Sequence, residues 1–176
     1  MNLRLIAYVA MVVAPLFLCC PLWAEEEEGP PPAAAGDKVD DPAGRFFDIK
    51  VPDGFQSETM EEPGIMIWRK GRGEILLVVG ELIAESAKDL YDRLVEAVRK
   101  DERLEKVDPV EVKGGLAFLC KEKRQEGPRR LHMWRLVVIT DKKVVSIDFT
   151  APNQDFGGFE KDFEAALKSF ALKSSS

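Results

Sequence analysis

The chain has 176 residues, of which 45% are apolar and 32% charged, and a formal net charge of -6. This balance indicates one globular domain with appended segments and supplies enough apolar residues for a core. Residues 25–44 hold seven acids and one base, whereas residues 45–176 hold 24 acids and 23 bases. The nearly neutral domain excludes the basic field that nucleic-acid binding requires, so we expect no nucleic-acid partner.

Residues 1–24 have the layout of a secretory signal peptide. Arg4 supplies an early positive charge, an uncharged apolar run covers residues 5–23, and four glutamates follow. The pattern predicts cleavage between Ala24 and Glu25, which leaves the rest of the chain outside the cytoplasm, either periplasmic or secreted.

Two alternatives to cleavage stay open. The apolar run is long enough to be an uncleaved membrane anchor, although Pro15 and Pro21 disfavour a regular helix. Cys19 and Cys20 allow a bacterial lipoprotein, although the residues before them are larger than that signal prefers. Membrane attachment is therefore expected only through residues 1–24, if they are retained or lipidated.

Residues 25–44 are predicted to form a disordered linker. The segment EEEEGPPPAAAGDKVDDPAG is rich in Glu, Pro, Ala and Gly and has no apolar periodicity. Such a composition cannot bury enough surface to offset the entropy of ordering, and its proline run favours an extended spacer.

The folded domain is predicted over residues 45–173, and its first half contains three strands and one helix. RFFDIKV alternates apolar and polar residues, as a half-buried strand does. GIMIWRK and GEILLVVGEL flank Gly71-Arg72, a two-residue loop whose first residue needs a positive φ. From Ser86 to Lys100 apolar residues recur at intervals of three and four, which predicts a helix with Ser86 as its N-cap.

The second half predicts two hairpins and a closing helix. VDPVEVK meets LAFLCKEK across Gly114-Gly115, and LHMWRLVVIT meets VVSIDFT across Asp141-Lys142, with the charged loop KEKRQEGPRR between the two hairpins. The final helix has Asp155 as its predicted N-cap and one apolar stripe: Phe156, Phe159, Phe163, Ala166, Leu167 and Phe170. The order predicts an α+β fold, in which an antiparallel sheet of about six to seven strands is packed by two main helices.

The two ends of the domain resemble the PsbP-like family, whose relatives include DcrB-like bacterial lipoproteins. The resemblance rests on FDIKVPDGF near the start and on a strand ending in FTAP, followed by Asp-Phe and a helix ending in Ser-Phe. It covers residues 45–172 and implies an α/β/α sandwich with a non-catalytic binding or assembly role. The resemblance does not assign a functional role to any residue of this chain.

The sequence offers few catalytic groups. If the loop is centred near Glu126-Gly127, His132 lies nearly opposite Cys120, and an imidazole beside a thiol is a known nucleophile arrangement. The apolar neighbours of Cys120 favour a packing role instead. One histidine and one cysteine beyond residue 24 cannot fill a typical zinc site, and no glycine-rich phosphate loop is present. We therefore expect no metal and no cofactor.

The candidate binding residues are Trp68, Arg69, Trp134 and Arg135. Each tryptophan precedes an arginine on a predicted strand, so an aromatic cleft wall with a charge contact is one interpretation, and core packing is the other. The basic cluster KEKRQEGPRR has two interpretations as well: a solvated hairpin tip, or a contact with an anionic lipid or an acidic partner.

The sequence favours an exported, non-catalytic binding or assembly module of the cell envelope, whose partner is an envelope protein or a small ligand of unknown identity. One alternative is a hydrolase with paired carboxylates, recognisable by two acids in one concave pocket. Asp148, Asp155 and Glu160 lie close together in sequence, but their positions suit a strand face, a helix cap and solvent. The other alternative is a small-ligand carrier, recognisable by an apolar cavity lined by Trp68 or Trp134.

The cleavage prediction can be checked by N-terminal sequencing of the exported protein. We expect the sequence to begin at Glu25, because Ala24 ends the apolar run at the point where the charged segment starts. An intact Met1 would indicate an uncleaved anchor, and an acyl mass on Cys19 or Cys20 would indicate lipidation.

Overall fold

The computed structural model describes residues 46–58, 64–84, 86–101, 104–126 and 128–173. The predicted signal peptide and linker lie outside these residues. In chain order the elements are β1 Phe47–Asp48, β2 Gln56–Glu58, β3 Ile65–Lys70, β4 Gly73–Glu81, α1 Ala87–Arg99, β5 Leu104–Val112, β6 Gly115–Glu126, β7 Arg129–Ile139, β8 Lys143–Pro152, α2 Phe156–Ser169 and β9 Ala171–Leu172.

Seven of these strands form one antiparallel sheet in the order β2-β3-β4-β8-β7-β6-β5, and β1 pairs with β9 in a separate two-stranded sheet. Helix α1 packs on one face of the large sheet, where Tyr91 meets the ring of Phe118. Helix α2 packs on the other face, where Phe163 meets Phe149. We call these the α1 face and the α2 face. The described residues thus form the predicted α+β sandwich.

Helix α1 begins as its sequence predicts. The Ser86 side chain accepts a hydrogen bond from the Asp89 backbone N–H at 3.1 Å, which satisfies one of the free amides of the first turn. The helix buries Leu90, Leu94 and Val95, which lie three to four residues apart and therefore on one side.

Helix α2 buries its aromatic stripe in the main core. Phe163 is fully buried, and its ring centroid lies 5.3 Å from that of Phe149 and 5.5 Å from that of Phe156. A Cβ atom on Gly73 of β4 would lie 2.7 Å from the ring of Phe159, so a glycine is needed for the helix to approach the sheet this closely. The predicted orientation of Glu160 toward solvent is confirmed.

The β3–β4 hairpin confirms its predicted turn, since Gly71 has a φ of +55°. Two short strands are absent from the prediction. Strand β2 (QSE) contains no apolar residue, and all three of its residues are exposed. Strand β9 has only two residues and follows directly on α2. Neither is long enough to show periodicity.

The structure corrects three other predictions. The strand predicted over residues 45–51 is limited to Phe47–Asp48 and pairs with β9, because its alternation reflected burial in the core and not a place in the large sheet. The charged loop is shorter than predicted, because β6 continues to Glu126 and β7 begins at Arg129. Asp155 holds the N-cap position of α2 but makes no capping hydrogen bond; it lies 3.0 Å from Arg72 in an ion pair.

Truncation of the helix stripe should measure how much α2 contributes to stability. We expect Phe163→Ala to lower the free energy of unfolding by about 3–5 kcal/mol, because it leaves a cavity at a fully buried position. Phe159→Ala is the matched control in the same helix; this ring is only partly buried, so the expected loss is about 1–2 kcal/mol. Equal losses in urea denaturation would contradict the packing described here.

Candidate functional site

Trp68 and Trp134 lie on the α2 face, in one cross-strand row with Ile75 and Phe149. Both belong to the core, and their exposed fractions are only 2% and 3%. Side chains this deeply buried cannot form the wall of an open cleft. The structure therefore corrects that interpretation in favour of core packing.

Arg69 and Arg135 lie on the α1 face, because successive residues of a strand point to opposite sides. Arg69 is exposed and pairs with Glu58 and Glu74. Arg135 is largely buried, and two of its nitrogens each donate to one carboxylate oxygen of Asp148 at 2.6 Å. The structure thus separates the tryptophans from the arginines that follow them in sequence.

The proposed Cys120–His132 pair is also corrected. The register partner of His132 is Lys123, three positions beyond Cys120, so the two side chains lie on opposite faces of the sheet. The error came from the register: with only two residues between Glu126 and Arg129, the partner of His132 lies three positions from the predicted one, and an odd shift changes which residues share a face. Burial raises the pKa of the Cys120 thiol to about 11, so the thiol is protonated at neutral pH and is no nucleophile.

Basic and aromatic side chains come together on the α2 face, where the β6–β7 hairpin meets the first turn of α2. We call this cluster the basic–aromatic site, and its members are Lys121, Lys123, Arg130, His132, Trp134 and Phe156. The register pairs Lys121 with Trp134 and Lys123 with His132, and the parity of Arg130 places it on the same face.

Phe156, the first residue of α2, joins the helix to this hairpin. Its ring stacks on His132 with 3.9 Å between centroids and lies 5.3 Å from the ring of Trp134. The ammonium nitrogen of Lys121 lies 3.9 Å from the centre of the Trp134 ring, in a cation–π contact. Lys121, Trp134, Phe156 and His132 therefore form one contiguous set of contacts across β6, β7 and α2.

Three buried side-chain polar atoms of the described residues lack a hydrogen-bond partner, and all three belong to residues around Phe156. They are His132 Nε2, Trp134 Nε1 and Asp155 Oδ2. Asp155 Oδ2 takes part in the ion pair with Arg72, but the two groups are not aligned as a hydrogen bond. Since buried polar groups are normally satisfied, such a concentration is unusual and marks the site.

The surroundings of His132 favour the neutral form of its imidazole. Burial lowers its pKa below the ordinary value of 6.5, although Glu105, whose Oε2 lies 3.9 Å from Nε2, acts in the opposite direction. Glu105 itself accepts a hydrogen bond from Lys123, with 2.7 Å between Nζ and Oε1, and this bond lowers the pKa of the carboxyl. The charge of Glu160 acts on the pKa of His132 in the same direction as that of Glu105.

The site offers positive charge, hydrogen-bond donors and a neutral imidazole, but no pair of groups poised for proton transfer. Such a set suits the binding of a polar or anionic group better than the breaking of a covalent bond. Among the described residues, no three His, Cys, Asp or Glu side chains come close enough to hold a metal ion. None of the described helices combines the length and the hydrophobicity needed to cross a membrane.

A separate open groove of about 650 Å³ runs along the β5 edge of the sheet. It is lined by Tyr91 of α1 and by residues 109–113 and 115–117. Leu116 in its wall is exposed, and its single carboxylate is Glu111. The groove contains neither Trp68 nor Trp134.

The sequence analysis identified several residues of the basic–aromatic site but did not predict that they lie together. Lys121, Lys123 and Arg130 belong to the basic cluster KEKRQEGPRR, and their shared parity with Trp134 would have shown a common face if the turn had been placed correctly. The contact with Phe156 could not have been found, because it joins residues more than 20 positions apart and has no local signature.

Comparison with solved structures shows which fold this is. The chain is similar to cyanobacterial PsbP (CyanoP) from Synechocystis sp. PCC 6803, with a TM-score of 0.57 and 14% identity over 84% of this chain and 98% of that one. LpqN of Mycobacterium tuberculosis, described as involved in cell envelope biogenesis, gives a TM-score of 0.58 and 10% identity over 73% and 83% of the two chains.

A protein from Bacteroides thetaiotaomicron gives a TM-score of 0.59 and 18% identity, over 81% of this chain and 50% of that one. No protein-family model matches the sequence, and no curated protein matches it. At these identities the likeness concerns the fold alone. The protein has the PsbP-like fold that the two ends of its domain predict.

The burial of His132 predicts a pH dependence of stability. Because its pKa in the folded state is lowered, stability is complete above the unfolded value of 6.5. Stability then falls as the pH drops below that value, where the unfolded chain binds a proton more readily. We expect the free energy of unfolding to decrease from about pH 7.5 to about pH 5.5, and to change much less in His132→Gln.

His132 is the only histidine of the chain, so its ring can also be titrated directly by NMR. A measured pKa above 6.5 would contradict the lowering that the partial burial of the ring predicts.

Proposed function

We propose that this protein is exported and acts as a non-catalytic binding or assembly module of the cell envelope. The observation that carries the proposal is the fold, which is similar to that of cyanobacterial PsbP and of LpqN, the latter described as involved in cell envelope biogenesis. The predicted signal peptide over residues 1–24 supports export, and the predicted linker over residues 25–44 would separate the domain from an anchor if one is retained.

The arrangement of the acidic residues supports binding over hydrolysis. Within the part of the chain that the structure describes, Glu122 is buried and Asp148 is largely buried, and each is engaged by an arginine, Glu122 by Arg124 and Asp148 by Arg135. Both oxygens of each carboxylate accept hydrogen bonds from the arginine, so neither group is free to reach a substrate. The β5 groove, with one carboxylate, lacks the two acids that a glycosidase-type mechanism requires.

A small-ligand carrier is supported less well than a macromolecular binding module. The carrier alternative requires an apolar cavity lined by Trp68 or Trp134, and both tryptophans are packed inside the core. The basic–aromatic site instead presents its charged groups toward solvent, since Lys123 and Arg130 are exposed. We therefore propose this site as the surface that contacts the envelope partner.

Photo-crosslinking in intact cells can test the proposed function. A crosslinking amino acid at position 125, which is exposed and is the register partner of Arg130, should give a discrete adduct with an envelope component. The control is position 142, which is also exposed but lies in the turn at the opposite end of β7. Mass spectrometry would identify the adduct.

The added substitution Lys121→Glu should reduce the adduct at position 125, because it reverses the charge at the centre of the site. The same adducts at positions 125 and 142, or no adduct at position 125, would contradict the proposal.

A further inference from the structure

We propose that the proline run of the linker, residues 30–32, binds in the groove along the β5 edge of the same chain. The inference goes beyond the proposed function and does not rest on it, because the residues that line this groove are separate from the basic–aromatic site.

The β5 groove is an apolar surface of the size of a ligand site. Its volume of about 650 Å³ lies within the range of known binding clefts. Tyr91 of α1 supplies an aromatic wall, and its ring is held 5.8 Å from the ring of Phe118. Pro109 and Leu116 are exposed beside it. Exposed apolar groups around a fixed aromatic ring favour an apolar ligand.

Pro109 determines which backbone conformation the groove accepts. β5 is an edge strand of the large sheet, where an extended peptide can add as a further strand. A proline has no N–H to donate, and within sheets it is confined to edges where its nitrogen faces solvent. An added strand would therefore miss a hydrogen bond in the middle of β5. A polyproline II helix needs no such bonds and docks on aromatic-lined grooves, so it fits this edge better.

The chain itself supplies such a segment close to the groove. Residues 1–45 precede the first described residue, Phe46. The next residue, Phe47, is the register partner of Leu172. The Cδ1 atom of Leu172 lies 3.1 Å from the position of a Cβ atom on Gly115, which lines the groove. The linker therefore joins the domain next to the β5–β6 turn, on the α2 face, and passes around that turn to reach the groove.

The linker is long enough for this path. Residues 33–45 connect the proline run to the domain, and a flexible chain of this length has an end-to-end distance of about 20 Å. The layers of a packed domain lie only about 10 Å apart. Because the run belongs to the same chain, its effective concentration at the groove is high, so a weak contact is enough to keep it bound.

The charges of the groove and of the linker are complementary. Lys113, in the β5–β6 turn, lines the groove, is exposed and has no ion-pair partner among the described residues. It lies on the side from which the linker arrives, and residues 37–41 of the linker contain three aspartates and one lysine. The one carboxylate of the groove, Glu111, meets no opposing charge, because residues 30–36 are uncharged.

A docked proline run changes what the linker does. It leaves only residues 25–29 as a spacer before the docking point, so a domain that retains an anchor is held nearer to the membrane than the length of its linker indicates. It also covers Leu116, so release of the linker opens the groove to other ligands.

Photo-crosslinking in the exported protein tests the contact. A crosslinking amino acid at the exposed position 111 should link to residues 29–36 of the same chain, as mapped by mass spectrometry of the digested adduct. The matched control is position 142, which is also exposed. It lies next to Lys143, whose Nζ is 5.6 Å from the centre of the Phe46 ring, so a free linker would reach it as easily. We expect about tenfold more linker adduct from position 111 than from position 142.

Two sets of variants test the chemistry of the contact. Changing all three prolines of the run to serine keeps the length of the linker but removes its apolar rings and its preformed conformation, so the adduct from position 111 should fall to the level of the control. Pro42→Ser, outside the run, should leave it unchanged. Leu116→Gln should reduce the adduct from the groove side, while an unchanged melting temperature shows that the domain still folds, since this side chain is exposed.

A mixture of isotopically light and heavy chains identifies the occupant. Adducts confined to one isotope support the intramolecular contact. Adducts that join light to heavy chains assign the groove to a second copy, and an adduct with a different protein assigns it to a partner; either result overturns the proposal. Equal linker adducts from positions 111 and 142, or adducts that persist after the three prolines are replaced, also overturn it.

Discussion

The packing of α2 against the sheet is the interaction on which the other features depend. Phe163 is fully buried against Phe149 of the sheet, and Gly73 lets the ring of Phe159 come close to β4. The chain that leaves the helix then forms β9, which pairs with β1 and ties the start of the domain to its end. The same packing presses Phe156 against His132, and so creates the basic–aromatic site.

The strand alternation gives the two faces of the sheet different chemistry. The α2 face contains the aromatic core, whereas the α1 face contains the buried ion pair of Arg135 and Asp148. Breaking such a pair leaves a buried charge uncompensated, although the intact pair adds little net stability because both groups lost their hydration. The alternation also keeps Cys120 and His132 apart, which removes the one nucleophile arrangement that the sequence offered.

The predictions that the structure confirms rest on short-range patterns. The cap of α1 at Ser86, the positive φ of Gly71 and the aromatic stripe of α2 each depend on residues within a few positions of one another. The incorrect predictions depended on contacts between residues distant in sequence or on the register of a hairpin. A register error of three positions in the β6–β7 hairpin was enough to put His132 and Cys120 on one face, because the side-chain period of a strand is two and an odd shift exchanges the faces.

The sequence alone predicts the order of most elements, the residues that face the core and the resemblance of the two ends to the PsbP-like family. It could do so because hydrophobic periodicity and turn chemistry are properties of a local stretch of chain. The tertiary structure was needed to show that the tryptophans lie inside the core, that Asp155 pairs with Arg72, and that the unpartnered polar atoms lie around Phe156. These features depend on which surfaces pack against each other across the sheet, and this is set by the close packing of the whole domain.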